Sequence, residues 1–198
     1  MKMYLQLGFI LLAFCVVATA LLAYVNTLTK PKIEAIKIKE AEEARDKLIP
    51  NSLFEEVAGD FTYYIAKDKD SGELKGYTFT ASRNGYNGAV KTMAAVDKDF
   101  RLIAINVIQQ TETPGLGTNA ALPKFTDQFK GKSSEQLVVD KDGGVPPNAI
   151  KALTGATITT RAVTNSLKET VEKLKQSVLT NQGSAAQDTI SAKQEVKA

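Results

Sequence analysis

The chain has 198 residues, 43% of them hydrophobic, and sets 25 Lys and Arg against 22 Asp and Glu for a net charge of +3, which suits one globular domain plus appendages. Charges of both signs are interspersed and no basic stripe is interleaved with aromatics, so nucleic acid is excluded as a partner. Histidine is absent and Cys15 is the single cysteine, which excludes an internal disulfide, a cysteine-ligated iron–sulfur cluster and a c-type haem, so any redox chemistry has to come from an organic cofactor.

Leu7 to Val25 carries no charge and has the length of a helix that crosses a hydrocarbon core of about 30 Å. Ala18-Thr19-Ala20 resembles a signal cleavage site, but the run continues past it, and a retained membrane helix within residues 1–29 is expected. Only Lys2 and the amino terminus precede the span, whereas Lys30, Lys32, Lys37 and Lys39 follow it. The positive-inside rule would therefore place the C-terminal side in the cytoplasm. Asn26 to Lys32 is expected to break the helix, with Pro31 opening a second, solvated connecting helix over residues 30–50 that Pro50 closes.

Residues 51–179 read as one domain. Phe61–Ala66, Leu74–Ala81, Ala89–Val96 and Leu102–Ile108 have strand length and β-formers, separated by the turn-like Asp70-Ser71-Gly72 and Asp97-Lys98-Asp99. The expected fold class is α+β, an antiparallel meander packed against helices. Asn84-Gly85-Tyr86-Asn87-Gly88 is hairpin punctuation whose glycines would also let backbone approach a planar ring. In Gln109 to Thr118, Pro114 fixes one φ and Gly115 or Gly117 supplies a positive one. A short helix at Phe125–Phe129, a last strand at Leu137–Asp140 and a loop from Lys141 to Gly144 follow.

Leu153-Thr154-Gly155-Ala156-Thr157-Ile158-Thr159-Thr160 then leads into a helix whose Val163, Leu167, Val171, Leu174 and Val178 share one face. The junction puts hydroxyl side chains beside a helix N-terminus, where a phosphate can be held. The plain alternative is that Thr157 or Thr159 caps the helix. Residues 180–198, rich in Gln, Ser, Ala and Lys without an apolar period, are expected to be disordered.

Thr154-Gly155-Ala156-Thr157 followed by Ile158-Thr159 resembles the flavinylation motif of the FMN-binding domain in the G subunit of Rnf complexes and the C subunit of sodium-pumping NADH:quinone reductases. Glu112-Thr113-Pro114-Gly115-Leu116-Gly117 resembles the other signature of that family, and the order of membrane helix, domain and motifs agrees. The resemblance implies FMN joined by a phosphoester to Thr157, with Thr154, Gly155, Ala156 and Thr159 around it and the loop of Thr113, Leu116 and Gly117 against the ring. Glu112 would either belong to this site or brace the loop internally. Lys141 is placed to offset charge on a reduced flavin, or is simply a solvated loop lysine.

The resemblance further implies an electron-transfer subunit of a ferredoxin:NAD complex in the bacterial inner membrane. Its partners are the other complex subunits, the lipid bilayer, and a flavin transferase that works with FAD and Mg²⁺. It puts the domain on the extracytoplasmic side, against the charge rule, and the resemblance is followed here. No metal ligand and no catalytic base are expected from this chain. The family pattern has an aspartate where this chain has Lys151, and often a histidine where it has Gln110. Rival readings are the C subunit of a quinone reductase, a stand-alone membrane flavoprotein, and a non-redox tethered binding module in which Thr157 is a cap.

Overall fold

A computed structural model describes the backbone of residues 2–59, 61–143 and 146–195, with side chains to Thr180. The chain forms two compact units, Met1–Glu43 and Ala44–Ala198. Helix α1, Lys2–Leu48, is continuous through Pro31, so the expected break at Asn26–Lys32 is absent. Pro31 removes one rung of the helix, but the flanking residues are good helix formers, and Thr27 and Thr29 donate their hydroxyls to the carbonyls of Ala23 and Val25 instead of competing for the backbone. The helix is long and apolar enough to cross a membrane. Large side chains such as Phe9, Phe14 and Leu22 stand exposed along it, as a lipid-facing surface requires.

The second unit holds a five-stranded antiparallel sheet in the order β1-β2-β3-β4-β5: β1 Ser52–Val57, β2 Tyr63–Asp68, β3 Leu74–Asn84, β4 Ala89–Val96 and β5 Leu102–Gln109. The meander with helices packed against it agrees with the sequence reading. The edge strand β1 was not expected, since Glu55 and Glu56 hide its alternation. It is held by the backbone ladder to β2 and by polar pairs, Glu55 with Lys67 and Glu56 with Tyr64. The turns fall where Asp and Gly predict them, and Asp68 and Asp97 accept the turn N–H groups.

After β5 come a 3₁₀ turn at Gly117–Ala121, helix α2 at Pro123–Thr126 and a 3₁₀ turn at Asp127–Phe129, with Phe125 and Phe129 buried. The strand expected at Leu137–Asp140 shrinks to a single parallel bridge, Val139 to Ile150. A longer ladder has no donors, because the N–H groups of Lys151 and Ala152 are taken by the side chains of Gln128 and Asp140.

Helix α3, Thr157–Glu195, lies on β3 and β4. All five residues of its apolar stripe are buried, from Val163 to Val178, in one core with Phe79, Val90, Ala94 and Val96 of those strands. Arg83 of β3 adds an ion pair to Glu169 of α3. Beyond Val178 the backbone stays helical to Glu195, where disorder was expected, in keeping with the helix propensity of Ala, Gln and Lys. Residues 196–198 of that tail lie outside the described residues.

Candidate functional site

Three segments distant in sequence meet at one end of the sheet and enclose a cavity of about 580 Å³. The β3–β4 hairpin supplies Tyr86, the loop after β5 supplies Glu112, Thr113, Leu116 and Gly117, and the start of α3 supplies Gly155, Ala156, Thr157, Ile158 and Thr159. The volume falls in the range of about 300–1,000 Å³ usual for cofactor pockets.

The loop after β5 folds as its composition predicts. Leu116 N–H donates to the Thr113 carbonyl across Pro114-Gly115, and Gly115, not Gly117, carries the positive φ of +77°. Thr118 Oγ accepts the Gly115 N–H and ties the turn shut. A second turn, Leu153 to Ala156, carries its own positive φ of +72° at Gly155. It delivers the chain into α3 with Ala156, which has no side-chain oxygen, in the residue before the helix.

The first turn of α3 is therefore uncapped. The N–H groups of Thr157, Ile158 and Thr159 have no partner among the described residues, and neither does the Thr157 hydroxyl. Thr159 donates its hydroxyl to Glu112 at 2.7 Å. Thr160 accepts the Leu153 N–H and donates to the Ala156 carbonyl. The alternative of Thr157 or Thr159 as a helix cap is thus not what these side chains do. Open N–H groups at the positive end of a long helix, with no acidic residue in its first turn, suit an anion.

Of the residues singled out by sequence, Gly155, Ala156, Thr157, Thr159, Glu112, Thr113, Leu116 and Gly117 come together on the cavity wall. Thr154 and Lys141 do not. Thr154 sits exposed in the turn before α3. Lys141 lies exposed on the loop that Asp142 anchors through its ion pair with Arg161, which keeps it off the lining. Lys151 is exposed as well. Gln110, in the place of the family's histidine, accepts the Glu112 N–H.

Two lining residues were not singled out as site residues. Ile158 sits at the variable position of its motif, and Tyr86 belongs to a segment whose glycines read first as a turn. Both are large apolar side chains at least half exposed, at 50% and 73%, and Leu116 beside them is 43% exposed. Together on one lining, they form an exposed apolar patch of the kind that marks a ligand-binding groove, a mouth suited to a planar ring.

Residues 85–172 match the FMN-binding domain family, and residues 1–47 match the RnfG N-terminal region. The chain is 35% identical over 162 residues to the G subunit of the proton-translocating ferredoxin:NAD(+) oxidoreductase complex of Clostridium ljungdahlii, covering 81% of this chain and 85% of the relative. It is 34% identical to the G subunit of the Na(+)-translocating ferredoxin:NAD(+) oxidoreductase complex of Acetobacterium woodii, covering 86% and 91%. In fold it is similar to the C subunit of the Na(+)-translocating NADH-quinone reductase of Parabacteroides distasonis, with a TM-score of 0.50 at 24% identity over 66% of this chain and 78% of that one. The chain belongs to the family of G subunits of ion-translocating ferredoxin:NAD(+) oxidoreductase complexes.

Proposed function

We propose that this protein is the electron-carrying G subunit of a membrane-bound Rnf-type complex, and that it holds FMN in the cavity through a phosphoester to the Thr157 hydroxyl. The observation that carries the reading is the pairing, in one turn, of an unbonded Thr157 hydroxyl with three unbonded backbone N–H groups on the wall of a cofactor-sized cavity. The hydroxyl is free to be esterified, and the N–H groups stand where the resulting phosphate diester needs donors.

When bound, FMN supplies one- and two-electron transfer, which a chain with no histidine and one cysteine cannot supply itself. The chain's own residues attach, orient and shield. Ala156 and Gly155 keep the approach to Thr157 free of bulk, as entry into the cleft of a modifying enzyme requires. Tyr86, Leu116 and Ile158 cover apolar ring surface, each 100 Å² removed from water contributing about 2.5 kcal/mol. No side chain has to act as a base after attachment. In maturation, a flavin transferase with Mg²⁺ would esterify the Thr157 hydroxyl with the FMN half of FAD, the pyrophosphate bond being exchanged for the new phosphoester, with AMP and the hydroxyl proton released.

The long apolar helix anchors the protein in the bacterial cytoplasmic membrane, and the flavin domain faces the extracytoplasmic side. The matches to G subunits along more than four fifths of their own length support the Rnf-type assignment over a stand-alone flavoprotein. Against a non-redox tethered module stands the fact that Thr157 caps nothing among the described residues.

The direct test is co-expression with a flavin transferase, followed by denaturing electrophoresis under ultraviolet light. A fluorescent band is expected for the wild type and none for Thr157→Ala. A dark wild-type band beside a fluorescent control substrate of the same transferase would sink the attachment. Protease added to intact spheroplasts tests orientation, since the proposal requires the domain to be digested.

A further inference from the structure

Glu112 is the one charged side chain among the described residues that is buried, at 5% exposure. No lysine or arginine among those residues pairs with it. A desolvated carboxylate without a counter-ion is costly unless donors surround it, and here they do. Oε1 accepts the backbone N–H groups of Tyr86 at 2.9 Å and Asn87 at 3.1 Å. Oε2 accepts the Thr159 hydroxyl at 2.7 Å.

The fit is close on both flanks. A Cβ at Gly85 would lie 2.4 Å from Oε1, and one at Gly117 would lie 2.6 Å from Oε2 and 2.8 Å from the Thr159 oxygen. Neither glycine has a positive φ, so both positions are constrained by the carboxylate's nearness and not by backbone conformation. One side chain thus joins the three segments that wall the cavity: the β3–β4 hairpin, the loop after β5, and the first turn of α3.

We propose that Glu112 is a positioning residue whose carboxylate clamps the hairpin and the loop to Thr159, two residues past Thr157, and so fixes the first turn of α3 with the Thr157 hydroxyl on the cavity wall. Its oxygens are engaged by the protein's own donors, so its part in the site is to hold the walls and not to bind the ring. The inference rests on Thr157 as the attachment point. Glutamine keeps a carbonyl oxygen for the Tyr86 and Asn87 N–H groups, and the Thr159 hydroxyl can rotate to accept from the amide. Alanine removes all three bonds.

The experiment uses the full-length chain in detergent, as wild type, E112Q, E112A and T159V. Covalent flavin per chain is measured after co-expression with the transferase, and backbone amide exchange is measured on protein made without it. E112A is expected to speed exchange roughly tenfold or more, as loss of hydrogen bonds to a charged group implies, at Tyr86, Asn87 and Thr160, the first bonded amide of α3, together. Exchange around Leu167 stays unchanged and flavin loading falls by a similar factor. E112Q keeps loading within about twofold of wild type, since its bonds are retained. T159V loosens the start of α3 and lowers loading while Tyr86 and Asn87 stay protected, and it decides the matter if E112A also opens the core.

Wild-type exchange and loading in E112A, or in T159V should E112A unfold, would overturn the clamp. So would E112Q falling as far as E112A, which would assign the effect to charge and not to bracing. A wild type that carries no covalent flavin defeats the attachment reading alone, because amide exchange still judges the clamp.

Discussion

Asp68 shows at the residue scale how a polar turn is stabilised in this domain. The Lys75 ammonium at 2.5 Å, together with the backbone N–H groups of Ser71 and Asp70, holds its carboxyl well below the usual carboxylate range. A depressed folded-state pKa stabilises the fold fully above the unfolded value of about 3.9 and loses that contribution as pH falls below it. Asp68→Asn should therefore lower the melting temperature at pH 7, with the gap to wild type narrowing steadily as pH drops below about 4; melts across that range check it. Lys75 also donates to the carbonyls of Pro50 and Asn51, so Lys75→Met should be at least as damaging at neutral pH. The motif residues, Glu112 to Gly117 and Thr154 to Thr159, were legible through their resemblance to two family signatures, since composition alone reads them as a turn and a helix cap. The clamp by Glu112 was not, because sequence leaves open whether a loop glutamate faces a ligand or its own backbone, and only the positions of Tyr86, Asn87 and Thr159 decide it.

At the scale of the element, α3 carries the domain's core on one stripe. Leu167 and Leu174 are fully buried, and Leu167→Ala should cost about 2–5 kcal/mol, the range for a core leucine left as a cavity, measured by denaturant unfolding of the full chain. That stripe was readable because a spacing of three and four residues allows no strand interpretation. Strands β2 to β5 were readable from β-formers between turns. Strand β1 was not, since an edge strand bonds through its backbone and can carry Glu55 and Glu56 on its surface. Pro31 misled in the opposite direction: a single missing N–H is a weak obstacle inside a long helix with strong formers on both sides. The bridge at Val139 failed to grow into a strand because side chains took the donors a ladder needs, which no local pattern encodes.

For the whole molecule, the division at Glu43 and Ala44 separates an apolar helix with an exposed surface from a domain with its own core. Removing residues 1–43 should therefore release the protein from the membrane fraction to the soluble fraction, while the intact chain resists extraction by alkaline carbonate. Ultracentrifugation followed by blotting checks both.

The cavity's three walls are separated in the chain by the two strands β4 and β5 and then by the whole stretch between Gly117 and Gly155, so its contacts are of high sequence separation, which slows their formation. Neither the hairpin nor the α3 turn can make the Glu112 bonds alone. Flavin attachment at such a seam would act as an inspection step: a transferase that requires the finished turn marks copies that have completed their fold, and a chain arrested before α3 docks is left colourless.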